Sequence, residues 1–190
     1  MPAARALRAL IWLGVALAPG AAGAQGVLLA PEQALREIFP EAARTDVEHR
    51  VIDAALRARL EAELGRRIDE DAVDVTRVYD AAGALRGYAV VTEEVGKYRP
   101  ITFMVGVTPE LAVRDVAVLV YRESRGGEVR RRRFLDQYRG KRARDPIATN
   151  RDIINISGAT ISVRSLNAGV KRVLAELTAL YGGSPTAGVR

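Results

Sequence analysis

A chain of 190 residues, 48% hydrophobic and 27% charged, is long enough to bury the core of one globular domain. It contains no cysteine, which excludes disulfides, thiolate metal sites and cysteine nucleophiles. The only histidine, His49, lies in a polar segment, so the residues needed for Ser-His-Asp or His-metal chemistry are missing. We therefore name no catalytic residue and no metal ligand.

The first 24 residues have the pattern of a secretory signal peptide. Arg5 and Arg8 give a positive start, residues 9–18 are apolar, and Ala22-Gly23-Ala24 offers small residues for cleavage. The apolar run is shorter than the roughly 20 residues of a membrane-spanning helix, although an uncleaved anchor is the alternative. We expect cleavage after Ala24 and a periplasmic or otherwise extracytoplasmic location, in association with a membrane.

Two short helices and four strands are predicted next. Pro31 opens the first helix and Pro40 ends it, whereas the second helix begins after Asp53 and closes at Gly65. Alternating apolar residues then predict strands over residues 73–79, 85–92, 101–107 and 112–121. Short connections between sequential strands favour an antiparallel four-stranded meander with helices on one face, hence an α+β fold. We expect residues 25–183 to form this single domain and residues 184–190 to be a disordered tail.

A long amphipathic helix is predicted at the end of the domain. Its apolar residues recur at three- and four-residue steps, namely Val163, Leu166, Val170, Val173, Leu174, Leu177 and Leu180. The hydroxyl of Thr160 or Ser162 is expected to cap the first turn. Just before it, Gly158 and Ala159 allow a ligand to approach the backbone, so the helix start is a candidate anion site. The simpler alternative is a capped helix preceded by a glycine turn.

The string Ser157-Gly158-Ala159-Thr160, followed by a hydrophobic residue, a serine and this helix, resembles the signature of the FMN-binding domain family. That family includes the C subunit of the sodium-pumping NADH:quinone reductase and the G subunit of the Rnf electron-transport complex. The resemblance implies that Thr160 carries FMN as a phosphodiester, attached by a separate flavin transferase that uses FAD. It also implies that Ser157, Gly158 and Ala159 shape the attachment turn.

A second block, Glu123-Ser124 followed by Gly126-Gly127, also resembles this family, whose members end a strand with a Glu-Thr pair and a glycine-containing loop. The resemblance covers roughly residues 73–180, and it implies that these four residues pack near the flavin ring. From spacing alone, the block is a plain connection between a strand and a helix. One departure stands beside the resemblance, because the family's usual acidic position is occupied here by Ile154, with Asp152 out of register.

The most basic stretch, residues 130–144, has a composition that can bind nucleic acid. The predicted export and the lack of interleaved aromatic residues argue against such a partner. We expect these cations mainly on a solvated helix face, with one or two contacting FMN phosphate, an anionic partner or the membrane surface.

Together these patterns favour an exported FMN flavoprotein, more an electron-transfer protein than a stand-alone enzyme, that relays electrons to or from a membrane-bound redox protein. The alternative is an exported module of the same fold without covalent flavin, which binds a ligand non-covalently or serves in assembly or regulation.

Overall fold

Five antiparallel strands form one sheet in residues 26–183, the part of the chain that the computed structural model describes. The strands are β1 (Arg44–Val51), β2 (Ala72–Tyr79), β3 (Leu85–Val95), β4 (Pro100–Val107) and β5 (Val113–Tyr121). Their order in the sheet is their order in the chain, and each pairs antiparallel with the next. The predicted α+β meander is therefore confirmed. The expected signal peptide and disordered tail lie outside the described residues.

The prediction of four strands was wrong by one, because β1 was missed. This strand lies at the edge of the sheet and pairs only with β2. Its sequence, RTDVEHRV, has no buried residue, and Val47 and Val51 are both exposed. An edge strand with neither face in the core has no reason to alternate apolar and polar residues, so the period-two signal was absent.

The helices are α1 (Pro31–Ile38), α2 (Ala54–Leu64), α3 (Arg132–Leu135) and α4 (Thr160–Tyr181). Two short 3-10 helices, Gly127–Arg130 and Asp136–Tyr138, flank α3. Pro31 lies in the first turn of α1, and Asp53 caps α2 by accepting a hydrogen bond of 2.8 Å from the Leu56 N–H. Gly65 ends α2 in the left-handed conformation, at φ +64°. No helix within residues 26–183 is both long and apolar enough to cross a membrane.

The sheet is covered on both faces, which corrects the expectation of helices on one face only. Along β4, Phe103 and Val105 belong to the apolar cluster of α4, whereas Met104 between them belongs to the cluster of α1. The apolar stripe of α4 is fully buried against the first face, from Val163 to Leu177. The central strands therefore hold α4 rigidly, and with it the turn that precedes its first residue.

The arginine-rich stretch forms no extended solvated helix face, because its only α-helix is the four-residue α3. Arg132 and Arg139 both donate to the buried carboxylate of Asp115 on β5, at 2.6 and 2.8 Å. Burial opposes ionisation of Asp115, but the hydrogen bonds from these two guanidinium groups lower its pKa. These ion pairs fasten the segment after β5 to the sheet.

Candidate functional site

A cavity of about 490 Å³ lies at the amino-terminal end of α4. Three segments line it, namely the β3–β4 loop, the residues that follow β5, and the turn that enters α4. The lining residues are Lys97, Tyr98, Glu123, Ser124, Arg125, Gly158, Ala159, Thr160, Ile161 and Ser162. The fold thus brings together the two motifs singled out in the sequence, although some 30 residues separate them along the chain.

The Ser157-Gly158 pair forms the tip of a tight turn. The Ala159 N–H donates to the Ile156 carbonyl at 2.9 Å, and Gly158, the third residue of the turn, has φ +80°. A type II turn requires a positive φ at this position, which favours glycine. Gly158 lines the cavity, whereas the exposed Ser157 does not.

The first turn of α4 has no side-chain cap, which corrects the expectation that Thr160 or Ser162 provides one. Both hydroxyls are engaged elsewhere. Thr160 Oγ1 accepts a hydrogen bond of 3.0 Å from Asn155 Nδ2, and Ser162 Oγ lies 3.0 Å from the Tyr121 hydroxyl. Consequently the N–H groups of Thr160, Ile161 and Ser162 have no acceptor among the described residues. Free donors at a helix start bind anions, and the helix dipole adds to the attraction.

Tyr121, the last residue of β5, connects the two motifs. Its hydroxyl donates to the Arg125 carbonyl at 2.6 Å and also contacts Ser162 of α4. Burial raises the pKa of this phenol above its usual range, so it stays a neutral donor at physiological pH. Gly126 lies beneath the same contact at φ +82°, where an added Cβ would come within 2.8 Å of the phenol oxygen. Gly126 thus shapes the floor of the site and does not line the cavity.

Glu123 fixes the β3–β4 loop. Its Oε1 accepts the backbone N–H groups of Tyr98 and Arg99, at 2.6 and 2.9 Å. Desolvation opposes ionisation, but the backbone donors lower the pKa of this carboxyl below its usual range. Glu123 therefore holds Tyr98 and Lys97 in place on the far wall of the cavity.

The remaining predicted residues differ in position. Ser124 is exposed and lines the cavity, whereas Gly127 begins the 3-10 helix and contacts Arg130 outside it. Ile154 is 76% exposed beside the attachment turn. Asp152 faces away from that turn, because its carboxylate accepts hydrogen bonds from Lys141 Nζ and the backbone of Ile147 and Ala148.

Sequence reasoning missed several residues of the site. Lys97 and Tyr98 were predicted only as part of a loop, and neither Tyr121 nor Asn155 was named as a site residue. Polar residues in loops carry no periodicity, and their proximity depends on the order of strands in the sheet. The one available signal was the position of Asn155 directly before the motif.

Comparisons with known proteins agree with this geometry. Residues 96–175 match the family model described as FMN-binding domain. Among solved structures, NqrC of Shewanella oneidensis superimposes with a TM-score of 0.56 at 17% identity, covering 77% of this chain and 86% of that one. The corresponding protein of the Na(+)-translocating NADH-quinone reductase of Parabacteroides distasonis gives 0.52 at 13% identity, covering 84% and 87%.

The search of curated proteins finds no match. At such low identities the structural matches show the fold, and the family match supplies the cofactor class. The resemblance first drawn from the two motifs is confirmed, and the chain contains an FMN-binding domain that resembles NqrC.

Proposed function

We propose that this chain is an exported flavoprotein that holds FMN at the start of α4 and relays electrons to or from a membrane-bound redox protein. In this proposal the FMN phosphate is linked to Thr160 as a phosphodiester. The observation that carries it is the cavity itself, where the Thr160 hydroxyl and three free backbone N–H groups meet the loop held by Glu123.

The residues present fit a phosphorylated flavin. A volume of about 490 Å³ lies within the range of pockets that hold small cofactors. The N–H groups of Thr160, Ile161 and Ser162 suit a phosphate, and the cations of Lys97 and Arg125 lie on the cavity wall. One negative charge at an exposed helix start contributes about 0.3–1 kcal/mol.

Thr160 supplies the group for covalent attachment. With FAD as donor, Thr160 Oγ1 would form the new bond to the phosphorus of the FMN half, the pyrophosphate bond would break, and AMP would leave. The hydroxyl proton would be lost in the same exchange. The open turn at Gly158 leaves room for the donor's phosphates, since nothing lies within 4 Å of the position of an added Cβ.

Bound FMN supplies the redox chemistry, because a flavin exchanges electrons singly or in pairs. The chain's own residues position it. Glu123 fixes the loop that presents Tyr98, and Tyr121 ties the loop after β5 to α4. No acid or base is required of the protein, which agrees with the absence of such a group from the lining of the cavity apart from the hydrogen-bonded Glu123.

A second candidate function is a module of the same fold that binds its ligand without a covalent bond. The observation that favours it is Ile154, whose exposed side chain stands at the family's usual acidic position. Asp152 offers no substitute, because Lys141 and two backbone N–H groups occupy its carboxylate.

The deciding experiment is the intact mass of the chain produced together with a competent flavin transferase. We expect an increase of one FMN less water, and a yellow colour that persists after denaturation. The Thr160→Ala variant should lack both, whereas the Ser157→Ala variant should retain them because Ser157 lies outside the cavity. A colourless wild-type protein of unmodified mass would refute the covalent proposal and favour the second candidate.

A further inference from the structure

A second, shallower groove of about 340 Å³ adjoins the candidate site. Its walls include Arg131, Arg133, Phe134, Ile154, Asn155 and Ile156. Residues 123–125 line the first cavity and residues 128–134 line the groove, and the turn before α4 likewise contributes to both. The hydrogen bond between Asn155 and Thr160 joins the two directly. The cavity and the groove therefore belong to one continuous face.

Exposed cations without carboxylate partners surround this face. Lys97, Arg125, Arg131 and Arg133 make no ion pair with any residue in the described range 26–183. Every Asp and Glu of the chain lies in that range. By contrast Arg132, between two of these cations, is paired with Asp115 and Asp136.

The carboxylates on this face do not balance the cations. Glu123 already accepts the N–H groups of Tyr98 and Arg99, which leaves Glu128 as the only other acid among the residues that line the two cavities. The face therefore carries an excess of positive charge, beside a site that the proposed function assigns to an anionic cofactor.

Apolar side chains project from the same face. Tyr98 is 72% exposed on the rim of the cavity, and Ile154 is 76% exposed on the rim of the groove. Large apolar and aromatic groups surrounded by arginine are typical of protein–protein interfaces, where they act as anchors within a charged rim.

We propose that this face, defined by Lys97, Tyr98, Arg125, Arg131, Arg133 and Ile154, is the docking surface for an acidic protein. For electron exchange the inference rests on the proposed function, because a redox partner must approach the flavin site closely. The concave groove between Phe134 and Ile154 favours a protein over a lipid surface, since a protruding side chain fills a groove that a bilayer surface spans. Complementary charge at the rim then steers encounter and sets the orientation.

The test uses plant-type ferredoxin, a small acidic electron-transfer protein, as the probe. Isotope-labelled chain is titrated with it at low and at high ionic strength, with the flavin attached and without it. We expect amide shifts to cluster at Tyr98, Arg125 and Ile154, and binding to weaken as salt screens the charges. Arg131→Glu combined with Arg133→Glu should weaken binding about tenfold at low salt, and the corresponding glutamine pair by less.

The matched control is Arg59→Glu with Arg67→Glu, which reverses two exposed cations in and just beyond α2. That helix packs near Ala175, about 22 Å along α4 from Thr160. The control should bind as the wild type does. Equal losses in both pairs, absence of binding, or tighter binding of the basic protein cytochrome c would overturn the proposal.

Vesicles of phosphatidylglycerol supply the competing outcome. If they bind the face more strongly than ferredoxin does, and the Arg131 and Arg133 substitutions abolish that binding, the surface is a membrane contact and the inference is wrong. Ferredoxin binding by a chain that never acquires flavin would refute the proposed function and leave the docking surface intact.

Discussion

The Asn155 side-chain amide donates a hydrogen bond of 3.0 Å to the Thr160 hydroxyl, across the turn that carries Ser157 and Gly158. The other polar atom of this amide, Oδ1, is buried and has no donor among the described residues. Because an unpaired buried oxygen is costly, its retention beside Thr160 points to a role for the amide in the site. The bond orients the one hydroxyl that the proposed attachment requires.

Asn155→Ala should therefore slow flavin attachment without preventing it. Loss of one neutral hydrogen bond corresponds to about 2- to 10-fold in rate. The measurement is the fraction of chain carrying the FMN mass increment as a function of time with the transferase. Ser157→Ala is the control, since its hydroxyl lies on the exposed turn. Equal rates for Asn155→Ala and the wild type would show that the bond has no part in attachment.

Glu123→Ala should loosen the β3–β4 loop while the rest of the fold persists. The substitution removes the acceptor of the Tyr98 and Arg99 N–H groups, so their amide hydrogen exchange should become faster. In flavin-loaded protein, the absorbance or reduction potential should shift while the cofactor stays bound. Glu110→Ala, at an exposed turn, serves as the control. Unchanged exchange at both amides would contradict the role assigned to Glu123.

Gly126→Ala should destabilise the protein more than Gly83→Ala does. Both glycines have nearly the same positive φ, +82° and +81°, so the backbone strain of about 1 kcal/mol is common to both. Only Gly126 is crowded, with the Tyr121 hydroxyl 2.8 Å and Ser162 Oγ 3.1 Å from an added Cβ. The difference between the two unfolding free energies, measured with denaturant, reports this crowding. Equal losses would mean that the loop moves freely away from α4.

The sequence predicted the parts of this molecule whose contacts are periodic. The stripe from Val163 to Leu177 packs on one face of the sheet, so α4 and its start near Thr160 followed from spacing. The edge strand β1 has no buried residue and therefore left no such signal.

The site was predicted only as far as its motifs extend. Glycine requirements are local, and the positive φ of Gly158 and Gly126 agrees with the turns inferred from them. The hydroxyls of Thr160 and Ser162 were expected to cap α4, but Asn155 and Tyr121 engage them instead. Those partners depend on how β5 and the preceding loop pack on the helix, which no pattern within one segment specifies.

Glu176 on α4 provides a pH-dependent prediction far from the cavity. Its side chain is 2% exposed, and its Oε1 has no hydrogen-bond partner among the described residues. Burial, opposed by Arg172 and reinforced by Glu70 and Glu94, raises its pKa from 4.5 to about 7. Arg172 lies 3.7 Å away, but its guanidinium is already engaged by Glu70, Glu94 and Thr92.

The sign of the effect follows from this raised pKa. The folded protein binds a proton at Glu176 more tightly than the unfolded chain does, so stability falls as pH rises from about 4.5 through about 7. A shift of this size corresponds to a loss on the order of 3 kcal/mol above pH 7, an upper value because neighbouring groups relax.

Glu176→Gln should remove this loss, because the amide keeps the shape of the carboxyl and never ionises. Denaturant unfolding at pH 5.5 and at pH 8.5 measures the change in stability across the transition. The variant should be the more stable protein at the higher pH and should show a flatter dependence on pH than the wild type. Glu63→Gln, at an exposed position of α2, should change neither quantity. If the wild type and Glu176→Gln lost the same stability between the two pH values, the carboxyl would already be ionised in the folded state at pH 5.5, and Arg172 would compensate its charge in full.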